Sequence, residues 1–214
     1  SPLDPWSLGA PRQEPFGARP ANLSGTRIGF LSGLGKPADD VAANTRACLK
    51  AFEGMGAIVE EAGADIDWMA EQARTMYFGN LNVYFGHHLA EWRDKMDPLL
   101  VHWIGLGQGF GTVEFRKAQL ARSRLYRSIQ KLFERYDFLV SPTLQETAIT
   151  FDRTKDMTGS WADGWNACVY PFNQTGNPAL TVPSGFGRDG LPTALQIVGP
   201  WWRDMEVLRV GAAL

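Results

Sequence analysis

What this chain lacks narrows it first. Two cysteines in 214 residues, Cys48 and Cys168, cannot form a disulfide framework, which predicts a reducing, cytoplasmic setting. Histidine occurs three times, at His87, His88 and His102. The run His87-His88-Leu89-Ala90-Glu91 is not H-E-x-x-H, so no metal site is expected. No uninterrupted apolar stretch approaches the roughly 20 residues needed to cross a bilayer, so no membrane partner is expected. There is no Gly-Gly dipeptide, no G-x-S-x-G elbow and no Gly-Lys-Ser/Thr after the glycines at 105, 107, 109 and 111. Phosphate cradling is therefore excluded, and no cofactor is expected. Charge is nearly balanced, at 21 Lys+Arg against 23 Asp+Glu and a net −2, which argues against a dedicated nucleic-acid binder.

What is present is ordinary for a globular chain: 44% apolar and 21% charged residues, long enough to bury a core. Residues 1–22 read as a Pro-rich linker or extended segment, because Pro2, Pro5, Pro11, Pro15 and Pro20 interrupt any helix. Residues 23–214 read as one folded unit. A short strand at residues 27–31 leads into a helix capped by Asp39 or Asp40, with Val41, Cys48, Leu49, Phe52 and Met55 on one stripe. A second strand follows at once at residues 57–59. Strand, helix and strand with tight joints predict an α/β fold with a mostly parallel or mixed β-sheet and helices on both faces.

From Asp65 a helix is expected toward Trp92. Its stripe would be Ile66, Met69, Ala73, Met76, Tyr77, Leu81, Tyr84, Phe85, His88, Leu89 and Trp92, with a bend at Gly79 or Gly86. Residues 103–111, with alternate glycines, read as a loop. A helix from Thr112 to Arg135 turns Ala118, Ala121, Leu125, Ile129, Leu132 and Phe133 inward. Its basic outer face, including Arg116, Arg122 and Arg127, reads as solvated. A buried strand at residues 138–143 enters a polar stretch over residues 144–164, long enough to suggest a functional loop. Two further strands follow, at residues 179–182 between Pro178 and Pro183 and at 193–198 between Pro192 and Gly199. A last helix is capped by Asp204 and is expected to run to the end of the chain. That ending, and the opening, predict a segment of something longer.

Ser141 with a histidine and an acid could in principle form a relay, but no spacing supports one. A specific pattern appears instead in residues 170–199. Pro171, Phe172, Asn173, Thr175, Gly176, Pro178, Ala179 and Pro183 are followed by Gly190, Pro192, Gln196 and Gly199. This order closely resembles the C-terminal block of the amidase signature family, P-F-N-x-T-G-x-P-A-x-x-x-P and then G-x-P-x-G-x-Q-x-x-G. Ala194 departs from it, where the family usually has glycine. Tyr136, Asp137, Ser141, Pro142 and Thr143 match a further family turn.

The resemblance covers residues 27–214 and implies an enzyme that hydrolyses carboxylic amides through a serine nucleophile, a second serine in a cis peptide and a lysine base. In the family these lie in a Gly/Ser-rich tract and upstream of it, and nothing here matches that tract. No catalytic residue is therefore expected in this chain. Lys36, Lys50, Lys95, Lys117, Lys131 and Lys155 read as surface charges. The segment alone is expected to be inert and to supply sheet and one wall of a pocket for a small-molecule amide. Candidate wall residues are Thr143, Gln145, Trp161, Trp165 and Tyr170. Asn173, Thr175, Gly176, Pro178 and Gln196 are assigned to scaffolding. The alternatives are the hydrolytic component of a tRNA-dependent amidotransferase, which feeds ammonia to misacylated tRNA, and a non-catalytic α/β binding module. Homo-oligomer formation stays open.

Overall fold

A computed structural model describes residues 21–64, 66–150 and 167–214. The expectations placed on residues 1–20, Asp65 and residues 151–166, including Trp161, Trp165 and Lys155, lie outside the described residues.

The first unit is a parallel crossover. Strand β1 (Arg27–Leu31) leads through helix α1 (Asp39–Gly54) to β2 (Ile58–Ala62), which pairs with β1 in parallel from Arg27↔Ile58 to Leu31↔Ala62. No side chain caps α1, contrary to expectation. The Asp40 carboxylate instead accepts from the backbone N–H of Val41 and of Arg188. Gly56, at φ +90°, makes the return turn, and a Cβ there would stand 3.1 Å from Ser24 Cα.

The connection from β2 to β3 is helical. It contains α2 (Ala70–Phe85), a 3₁₀ turn at Gly86–His88, α3 (Leu89–Trp92), a second 3₁₀ turn at Arg93–Lys95, α4 (Pro98–Gln108) and α5 (Thr112–Phe133). The expected bend falls at Gly86. The apolar stripe breaks earlier, at Tyr77: Tyr77, Tyr84 and Phe85 are exposed, as are His88 and Trp92 beyond the bend, while Phe78 is buried and stacks on Trp103 at 5.8 Å. The glycine-rich stretch is a helix, not a loop. Asp97 starts it by accepting from the N–H groups of Leu99 and Leu100, with Pro98 in the first turn. Gly107 serves close packing, since a Cβ there would fall 2.0 Å from Phe78 O, whereas Gly105 meets nothing within 4 Å.

Strand β3 (Phe138–Pro142) is buried at every position. Helix α6 (Tyr170–Thr175), β4 (Ala179–Phe186), β5 (Pro192–Val198) and α7 (Asp204–Gly211) complete the described chain. β4 does not stop at Pro183. It continues to Phe186 through a register shift between Pro183 and Gly185, which an edge strand tolerates because it need not donate on both sides. α7 ends at Gly211, short of Leu214, and Arg203 rather than Asp204 occupies its cap.

The strand order is β2-β1-β3-β5-β4, with β1 parallel to both neighbours and β5 antiparallel to both of its own. The fold is α/β with a mixed five-stranded sheet. Alternation along each strand sends side chains to two cores. Ile28, Val140, Leu195 and Ile197 meet Phe52 of α1 and Val207 of α7, whereas Leu31, Leu139 and Val198 meet Met76 of α2, Leu125 and Ile129 of α5 and Phe172 of α6. Helices cover both faces, as the patterning implied.

Candidate functional site

Parallel strands end together. The carboxyl ends of β1, β2 and β3 lie along one edge, and the chain leaves it through residues 32–38, 63–69 and 143–150. From β1 the path crosses one face through α1; from β2 it returns over the other face through α2 to α5. Where successive connections diverge in this way, between β1 and β3, the flanking loops splay apart at the carboxyl edge. Ligands of open α/β sheets bind in such a crevice.

Gln145 bridges the two loops at that point. Its Oε1 accepts from Lys36 N–H at 3.0 Å and its backbone carbonyl from Ala38 N–H at 2.7 Å. The side chain is 9% exposed, yet its Nε2 has no hydrogen-bond partner among the described residues. That nitrogen lies against Gly35 (φ +77°), where any Cβ would come within 1.8 Å of it. A buried donor with no partner is uncommon and calls for an explanation.

Behind Gln145 runs a buried polar chain. Gln196 Nε2 donates to Cys168 O at 2.8 Å and to Ser141 Oγ at 3.3 Å, Ser141 Oγ donates to Pro142 O at 3.0 Å, and Cys168 Sγ donates to Leu34 O at 3.3 Å. One network thus joins β3, β5, the approach to α6 and the loop after β1. Burial pushes the Cys168 thiol up to about 12, against a smaller pull from the Ser141 hydroxyl. Burial likewise raises Tyr170 to about 12, assisted by the charges of Asp67 and Cys168. Both groups are neutral near pH 7. Beside them Met69, 2% exposed, holds left-handed backbone angles (φ 53°, ψ 39°) as its N–H binds the Asp67 carboxylate at 3.0 Å.

The expected site residues divide into three groups. Thr143, Gln145 and Gln196 gather at the ends of β3 and β5, with Thr143 N–H bound to Ala194 O at 2.9 Å and its hydroxyl 3.4 Å from that of Thr181. Tyr170 packs on Ala73 and Ala167 at the start of α2. Gly176 closes α6 at φ +69°, Pro178 O accepts from Gly199 N–H, and buried Thr175 bonds Asn177. Asn173 is exposed and bridges no backbone group; the buried link across to Gly199 O comes from Asn177 Nδ2 at 2.9 Å. Asn177, Cys168 and Ser141 were not read from the sequence as parts of this network. A polar residue between Gly176 and Pro178 was the one signal available for Asn177.

This arrangement can hold a polar ligand group, and among the described residues Ser141 has no base beside it. Ser141 faces a carbonyl and an amide, with no basic group in its hydrogen-bond shell. Lys36, Lys50, Lys95, Lys117 and Lys131 are exposed. Among the described residues no cluster of metal-ligating side chains occurs, and no helix is long and apolar enough to cross a membrane.

Comparison with known proteins decides the family. The family model named Amidase matches residues 4–208. This chain belongs to the amidase family. The A-type subunit of a glutamyl-tRNA(Gln) amidotransferase from Symbiobacterium thermophilum is 30% identical over 92% of this chain and 46% of its own length. An acylamidase from Rhodococcus erythropolis is 29% identical over 98% of the chain and 46% of its own length. The amidase chain described here therefore spans about half the length of the curated relatives it matches. Among solved structures, 6-aminohexanoate cyclic dimer hydrolase complexed with substrate superposes with a TM-score of 0.79 over 97% of this chain and 48% of that one. At 19% identity that likeness speaks for the fold alone.

Proposed function

We propose that this chain is the C-terminal portion of an amidase signature hydrolase. The whole protein cleaves a carboxylic amide to an acid and ammonia or an amine through an acyl-enzyme. Its serine nucleophile, its cis-peptide serine and its lysine base lie outside residues 1–214. The observation that carries this reading is a pairing: the family match spans nearly the whole chain, yet among the described residues at the carboxyl edge Ser141 has no base beside it. In this view the segment supplies sheet and one pocket wall, with Thr143, Gln145 and Tyr170 nearest the substrate. The unspent Gln145 Nε2 then has a role as donor to an amide carbonyl. Apolar or aryl acyl groups suit a wall containing Tyr170.

The test compares residues 1–214 with the product of the full reading frame on a panel of aliphatic and aryl amides, reading ammonia or amine release. The segment should be inert and the full product active. Turnover by the folded segment alone would overturn the reading.

The 30% identity to an amidotransferase component supports a second reading, in which the amide is glutamine and the ammonia passes to a charged tRNA. Co-purification with further polypeptides and glutamine-dependent transamidation would select it over free hydrolysis.

A further inference from the structure

The outer flank of α5 carries an arrangement that amide hydrolysis leaves unused. Gln119, Arg122 and Tyr126 recur at i, i+3 and i+7 and so share one flank of the helix. That flank faces Gln174 and Trp201 across a groove of about 530 Å³ whose lining holds no carboxylate. Arg122 Nε donates to Gln174 O at 2.6 Å, which orients the guanidinium plane and leaves its two terminal nitrogens without a partner among the described residues. Trp201 Nε1 donates to Thr175 O at 2.9 Å, holding the indole at the rim, where it meets Tyr126 edge-on at 5.3 Å and 67°. Arg116 and Arg127 line the same groove, and neither pairs with a carboxylate among the described residues.

Two paired donors on an oriented guanidinium match an oxyanion with two oxygens. The adjacent ring pair offers edges and faces to a further ring. Arg116 and Arg127 raise the local potential and draw anions in. We propose that this groove binds a ring-bearing oxyanion, an aromatic carboxylate or an aromatic phosphate ester, with the anion on Arg122 and the ring against Tyr126 and Trp201. The site makes no use of the hydrolytic reading and stands or falls apart from it.

Isothermal titration of the purified protein at low ionic strength tests it with benzoate, phenyl phosphate, inorganic phosphate, acetate and a short single-stranded RNA. Benzoate or phenyl phosphate should bind on the order of tenfold tighter than its ring-free counterpart, and the tighter of the two identifies the source of the anion. Arg122→Gln should weaken either by about tenfold, the scale of one charge-assisted hydrogen-bonded contact. Tyr126→Leu should abolish the preference for a ring without changing phosphate binding. Arg127→Gln, which removes no hydrogen bond of the fold, should weaken binding only a few fold and flatten its salt dependence. Thermal melts of each variant verify that the fold is intact. Binding of both benzoate and phenyl phosphate no tighter than acetate and phosphate would overturn the proposal, as would no binding at millimolar concentration. RNA binding that is indifferent to Tyr126→Leu and falls equally with each arginine would overturn it in favour of a nucleic-acid surface.

Discussion

Phe52 and Gln196 sit on opposite faces of one sheet and fill their space by different physics. On the α1 side, Ile28, Phe52, Val140, Leu195 and Ile197 close a core of apolar atoms. On the α2 and α5 side the apolar core gives way, near the carboxyl edge, to the chain of hydrogen bonds through Gln196, Ser141 and Cys168. The first face contributes stability through area removed from water, at about 25 cal/mol per Å². The second buries apolar area as well, and at its carboxyl edge the hydrogen-bonded patch contributes little net energy and instead fixes where three loops stand, because a buried polar group left unmatched is what would be costly. Both faces thus stabilise the fold, and positioning is concentrated at the carboxyl edge of one of them.

Substitutions can break or sharpen this contrast. Phe52→Ala, at a fully buried site on the apolar face, should lower the free energy of unfolding by about 3–5 kcal/mol in denaturant titration. A loss under about 1 kcal/mol would mean that burial of Phe52 is not what stabilises this face. The polar face should answer to pH. Cys168 is raised from 9.0 to about 12 and Tyr170 from 10.0 to about 12, so the unfolded chain ionises first as pH rises. Stability from both is complete below pH 9 and should fall at up to about 1.4 kcal/mol per pH unit per group as pH climbs toward 12. Cys168→Ala should soften that alkaline decline, and a decline unchanged in this variant would refute the assignment.

Gln196→Leu should cost about 1–3 kcal/mol, because Cys168 O loses its donor. It should also raise hydrogen exchange in residues 167–170 more than in α1; exchange that rises equally everywhere would argue against a positioning role. At the bottom of the scale lies Trp202→Gly. Trp202 holds φ +69°, a conformation that costs an L-residue about 1–2 kcal/mol. Relief of that strain is offset by the lost ring contact with Trp201 at 6.1 Å, so the net change should stay within about 1 kcal/mol in thermal melts.

The elements that periodicity could reach were legible. The β1-α1-β2 crossover, the inner face of α5 and the buried β3 all follow from apolar spacing, since each packs one continuous stripe on a neighbour. Helix α4 was hidden because its glycines look like loop residues until Phe78 O is seen lying against Gly107. The α2 stripe failed at Tyr77 because Phe78 turns inward against Trp103 of α4 instead, a contact that no 3.6-residue count can anticipate. At the site, Thr143 and Gln145 could be named from their place beside the long polar loop, and Gln196 from the motif that carries it. The link from Gln196 to Cys168 spans 28 positions and arises only when β5 pairs with β3. The Asn177 bond reaches across 22 positions in the same way, and no local pattern foretells it.

The two margins of the sheet are guarded by different means. At one, Pro183 places a residue with no N–H in β4, and the register shift beside it twists the row away from a regular ladder. At the other, β2 carries Glu60 and Glu61, so a second β2 brought alongside would meet like charge. Among the described residues, neither margin offers a stray strand a clean template.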